Sequence, residues 1–432
     1  MTLSPTVLAF AVVSYVCAPQ APPAAEAAGD AEVVAWLKAA RENAPSIAEF
    51  VAPKDDSKAA RVVVVGRAYS GTNELAAFER RVVEALPRLD VVALDIGWSE
   101  GDALDQWVRT GEGDLASIIS HSGTFGWSAI EARALIEGLR KRDPRPQVAG
   151  IATGDPKSAC ATVLEYLGRV YPESSARAEI LLRPLRTDTP KGEPRYHQLD
   201  DSQRGILRLG VEEIVNVIRD QVETMTRKSS VTEYARALSA ATALLQYEDV
   251  MRFEREGGES DPHGRILAEN TVRVLSALPA TARLVALVNV RDLARASDRD
   301  SFVAQLEQSL AQPVLCVATA CGRGEFLAVD PNNTAAGPRL PREVKLDQAD
   351  CTKLEGALHS GAGLDGRLLL AGSRPTTGIA EWLSKNGTLR SARAVCGGAS
   401  ETKWSFDVLG DFDAIAVIWD VHAARTESGT AR

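Results

Sequence analysis

The sequence predicts an α/β fold: a mostly parallel sheet flanked by helices, with a helical insertion. Three observations carry this. Val62-Val63-Val64-Val65 runs into Gly66 with no polar break, as a strand covered on both faces does. The segment after it sets Leu75, Phe78, Val82 and Leu86 at helical spacing, and a second apolar run, Leu89 to Ile96 ("LDVVALDI"), follows. Strand, helix, strand in that order is a βαβ unit, whose strands lie parallel. Finally, a long stretch from about Ala159 to Arg255 reads as helix before strand signals return.

Taken in order, Val7 to Ala18 is a short apolar run. Ala25-Glu26-Ala27 beyond it fits a small-x-small cleavage site, which predicts an export leader over residues 1–29. The run has no Lys or Arg before it, so a plain Ala/Pro leader stays open. A helix is expected around Glu32 to Glu42. After the βαβ unit, "GWSEGDALDQWVRTGEGD" reads as a helix between Gly-rich turns, and Ser128 to Arg142 as another helix. Gln147 to Ala152 is a short strand. The first α/β half is therefore placed at 30–158, the helical insertion at 159–260, and a second α/β half at 261–432. The insertion is broken by the loop "RTDTPKGEPRYHQLDD". Strands are expected at Arg283 to Val290, Val314 to Ala318, Phe326 to Val329, Arg367 to Ala371 and Ala414 to Trp419, with Asn332 to Pro341 as an exposed loop.

Composition narrows the function. The chain has 432 residues, 45% of them apolar, with a net charge of −9 and no basic block. That argues against nucleic-acid binding, which needs a positive face. No later stretch approaches the ~20 apolar residues of a membrane span. The six cysteines, Cys17, Cys160, Cys316, Cys321, Cys351 and Cys396, form no C-x-x-C. One or two disulfides in an exported chain, or buried free thiols, are equally open. No cofactor motif is legible. Glu112 and Asp114 share a Gly turn but have no third ligand close in sequence, so no metal site is expected.

Several stretches together resemble the erythromycin esterase family. "GRAYSGTNE" (Gly66 to Glu74) is similar to its G-E-x-x-H-G-T-x-E segment, and Ala93-Leu94-Asp95 to its A-L-E. "WVRTGEGD" resembles Y-V-x-x-G-x-G-D. Trp127 with Glu131, then Leu139-Arg140, resembles a W…E…W-M-R helix. "HGRILAENTVRVL" resembles the R-D-x-x-M-A-x-N helix, "LVALVNVRDL" a strand ending W-A-H-N-x-H, and "LGDFDAIAVIWDVHAA" the closing strand.

The resemblance implies a histidine base that activates water for attack on an ester, a macrolide lactone in the best-known case. At the implied positions this chain departs from the pattern. Ser70 stands at the base, Arg67 at the first glutamate, and Val288 and Arg291 at the second-motif histidines. Asn289 is kept, and Asp95 shortens the second-strand glutamate. A hydroxyl is no base at neutral pH, and arginine stays protonated. The expected outcome is a degenerate esterase. Arg67, Ser70, Asp95, Asn289 and Arg291 would then line a pocket, either as an ion-pair network or as a fork for a small anionic ligand.

The competing expectation is an active ester hydrolase with relocated groups, Asp95 with His121, and with Glu74 beside them. Glu74 and Arg140 hold retained positions and also read as a structural pair at the strand–helix junction. His263 reads as a substitute for the family's helix arginine, and His197 and His422 as solvent-facing. The two expectations separate on one feature: a histidine within hydrogen-bond reach (~3 Å) of a pocket carboxylate.

Overall fold

The computed structural model describes residues 28–42, 46–51, 53, 60–126, 128–186, 196–257, 261–328, 342–346, 352–362, 368–370, 375–391 and 402–424. The expected leader, Cys17, Trp127, Cys351, Cys396 and the loop Asn332 to Pro341 lie outside these residues. The strands are β1 (Val62–Arg67), β2 (Val91–Gly97), β3 (Gln147–Ala152), β4 (Leu284–Asn289), β5 (Leu315–Ala328), β6 (Arg342–Leu346), β7 (Leu368–Leu370), β8 (Thr388–Ser391), β9 (Thr402–Ser405) and β10 (Ala414–Val421). One sheet runs β3-β2-β4-β1-β5-β10-β7, with β6 paired to β5; β8 and β9 form a separate hairpin. β1 through β5 and β10 pair in parallel, and β6 and β7 add antiparallel pairings.

The valine run behaves as its composition dictates. Val62 to Val65 are fully buried in the sheet centre, between β4 and β5. Burying each such side chain contributes about 1.5–3 kcal/mol over leaving it in water. The helix Asn73–Ala85 then returns over the sheet on Leu75, Phe78, Val82 and Val83.

Two short strands had been expected where the structure has one. β5 runs unbroken for 14 residues because its glycines let β10 lie against it. A Cβ on Gly322 would meet the Trp419 ring at 2.0 Å. At Gly324, with φ +131°, it would meet the Val421 carbonyl at 1.8 Å.

A second apolar cluster, separate from the sheet core, gathers the helices Pro156–Val170, Pro172–Leu182, Asp201–Asp220 and Val231–Glu256 around residues such as Val163, Leu167, Val211, Ile214 and Leu244. This is the helical insertion. An amide pair ties it to the sheet. Gln246 and Asn270 exchange bonds at 3.1 Å, and Asn270 also donates to the Ile151 carbonyl at 2.8 Å. Cys160, Cys316 and Cys321 are buried, and no disulfide joins any of these three to another. Among the described residues no helix is long and apolar enough to cross a membrane.

Candidate functional site

The end of β2 and the turn after β4 meet the start of the helix Pro262–Ser276, and the candidate site lies there, where open α/β sheets place their ligands. Local chemistry fixes each piece. Asp261 caps that helix by accepting from the His263 N–H, and Pro262 opens it. His263 therefore sits in the first turn. Gly264 lets the chain at 300–302 press on the helix: a Cβ there would meet the Asp300 carbonyl at 2.2 Å. After β4 the chain turns through Val290–Leu293. Asn289 accepts from the Arg291 N–H at 3.0 Å, and Asp292 accepts from the Asn289 N–H at 3.2 Å.

A cleft of about 230 Å³ opens between these parts, walled by Asp261, His263, Arg291, Asp292, Asp298 and Asp300, among others. His263 Nε2 stands 3.9 Å from Asp95 Oδ1. One ligand atom each from Asp95, His263 and Asp292 can be chosen so that all lie within 4.8 Å of one another. Asp292 is buried, at 5% exposure.

The arginine fork expected for an anion is not assembled. Arg67 donates Nε to Glu79 Oε1 at 2.9 Å and a second N–H to Glu79 Oε2, both side chains nearly sealed from solvent. Burial raises the Glu79 carboxyl, and the Arg67 charge pulls it back down. Arg291 pairs with Asp261 at 3.4 Å and lies over the Trp404 ring at 4.4 Å. Each guanidinium thus has its own carboxylate, and neither carboxylate is Asp95. Both arginines are ion-paired, with partners that sequence reading did not name.

The other candidates disperse. Ser70 is half-buried in the bend before the helix Asn73–Ala85. Asn289 is a turn cap that also accepts from Ser391. His121 ends the helix Leu115–Ser120, exposed, its Nδ1 2.7 Å from the Ser117 carbonyl of its own helix. It is no partner for Asp95; His263 takes that place. Arg140 donates to the carbonyls of Trp107, Val108 and Thr110, closing the end of a helix, and not to Glu74.

Glu74 meets His422. The buried carboxylate accepts the His422 backbone N–H at 2.8 Å and its ring Nδ1 at 2.7 Å. The ring itself is 65% exposed, and neither residue walls the cleft. The pair clasps β10 to the loop after β1, where Ala424 also donates to Gly71 and Asn73 to the His422 carbonyl. His422, expected only to face solvent, does so with one nitrogen anchored.

Sequence reading missed Glu79, Asp261, Asp292, Asp298 and Asp300. The Asp261-Pro262 pair was a legible helix start and put His263 in a first turn. The acidic "SDRDS" stretch after β4 was the other signal.

The sequence profile of the erythromycin esterase family matches residues 89–421, most of the chain. Three solved structures share the fold. A Bacillus cereus protein superposes with a TM-score of 0.71 at 14% identity, over 92% of this chain and 99% of its own. A succinoglycan biosynthesis protein gives 0.69 at 15%, over 93% and 100%. A mutant of the erythromycin esterase EreC, in its open conformation, gives 0.66 at 15%, over 85% and 92%. No curated protein matches the sequence. At such identities the superpositions speak for the fold alone, but with the profile match spanning 89–421, the chain belongs to the erythromycin esterase family.

Proposed function

We propose that this chain keeps the family scaffold without its hydrolytic centre, and that its cleft binds a small ligand presenting a positively charged group. The observation that carries the first half is the set Ser70, Val288 and Arg291 at the positions where the resemblance implies histidines. None can accept a proton from water near neutral pH, and losing a general base costs ~10²–10⁴ in rate. Among the described residues, the histidine on the cleft wall, His263, is 3.9 Å from Asp95, beyond hydrogen-bond distance.

The second half rests on charge. Among the described residues four aspartates line the cleft against one arginine, and that arginine is paired with Asp261. This wall repels the small anion expected from sequence and attracts a cation.

The His422–Glu74 pair is the contact best able to serve hydrolysis, since a carboxylate on Nδ1 leaves Nε2 as a possible base. It enters the test for that reason. Purified protein is assayed with p-nitrophenyl butyrate and with a macrolide lactone. The expected result is turnover no faster than buffer, unchanged in His263→Ala and His422→Ala. Turnover that either substitution abolishes overturns the proposal.

A further inference from the structure

We propose that Asp95, His263 and Asp292 form a binding site for one divalent first-row transition-metal ion. The inference rests on the reading of the cleft as a cation site and names the cation. Three separate elements supply the donors: the end of β2, the first turn of the helix Pro262–Ser276, and the turn after β4. Their ligand atoms already lie within 4.8 Å of one another.

The donors are of two kinds. An imidazole nitrogen with two carboxylate oxygens suits a first-row transition ion such as Zn²⁺ or Mn²⁺ better than Ca²⁺, which takes oxygen ligands. Spacing points the same way. At 3.9 Å, His263 Nε2 and Asp95 Oδ1 are too far apart to bond each other. An ion held at about 2.0–2.2 Å from each fits between them. The donors are also held from behind. The Asn289 N–H fixes one oxygen of Asp292, and Asp261 accepts the backbone N–H of His263. His263 and Asp292 face the open cleft, which leaves coordination positions for water or a ligand.

The test uses the full chain, stripped with chelator and titrated with Mn²⁺. Binding is followed by loss of the free-ion electron paramagnetic resonance signal, with Zn²⁺ as competitor. One ion per chain is expected. His263→Ala and Asp292→Asn should each weaken binding ~10-fold or more. Asp292→Asn keeps an oxygen for the Asn289 N–H, so the turn stays closed, and equal thermal melts of the metal-free proteins check this. No binding at millimolar Mn²⁺, or binding that both variants retain, overturns the site. Ester turnover measured with and without Mn²⁺ separates the two proposals. Turnover that requires the metal retains the site and overturns the non-hydrolytic reading, whereas absent binding with absent turnover does the reverse.

Discussion

The Arg67 guanidinium grips the Glu79 carboxylate with two hydrogen bonds, one turn and a half along the helix that follows its own strand. A cation that the sequence places at the cleft mouth is thereby spent inside the fold. Removing one member of such a pair leaves the other charge buried and uncompensated, at a cost of about 3–5 kcal/mol. Arg67→Met should therefore destabilise by that amount in urea unfolding. The double variant Arg67→Met/Glu79→Leu should recover most of the loss, since apolar replacement of both partners is tolerated. An equally unstable double variant would show that the pair does more than neutralise itself.

Asn270 holds the insertion to the sheet. Its amide bonds both Gln246 and the Ile151 carbonyl, and Asn270→Ala strands these buried groups. The expected loss is about 1–3 kcal/mol per orphaned group. Limited proteolysis should cut the helical insertion before the sheet core in this variant. Unchanged protection would show that apolar packing alone anchors the insertion.

His359 gives the fold an acid weakness. Its ring is 3% exposed and stacks on Trp419 at 3.6 Å. Burial lowers its pKa from 6.5 to about 4. The unfolded chain then binds more protons than the folded one between these values, so stability falls as pH drops from 6.5 toward 4 and levels off below. At about 1.4 kcal/mol per unit over about 2.5 units, the full loss is about 3.5 kcal/mol. His359→Phe should flatten that part of the stability–pH curve. An unchanged slope would assign the acid sensitivity to other groups.

Much of the fold was legible because its central strands are buried on both faces. Val62 to Val65 and the β2 run read as strands covered on both faces of an α/β sheet. The insertion was legible from helical spacing on both sides of the loop that breaks it. What sequence hid was partnership. Arg67 and Arg291 were rightly seen to need carboxylates, yet Glu79 and Asp261 belong to helices whose docking no local pattern states. His121 attracted notice for its Gly-rich surroundings, whereas His263 reaches Asp95 only because a capped helix start and a strand end converge. The acidic wall was invisible for the same reason. Its aspartates come from a helix cap, the turn after β4 and the loop before the helix Phe302–Leu310.

The central claim is that this cleft binds without cleaving. Incubation with a macrolide lactone, followed by mass spectrometry for the gain of one water, tests it most directly. The lactone should emerge intact from the wild-type protein, with and without Mn²⁺. Ring opening by the wild type that His263→Ala or His422→Ala abolishes would contradict it.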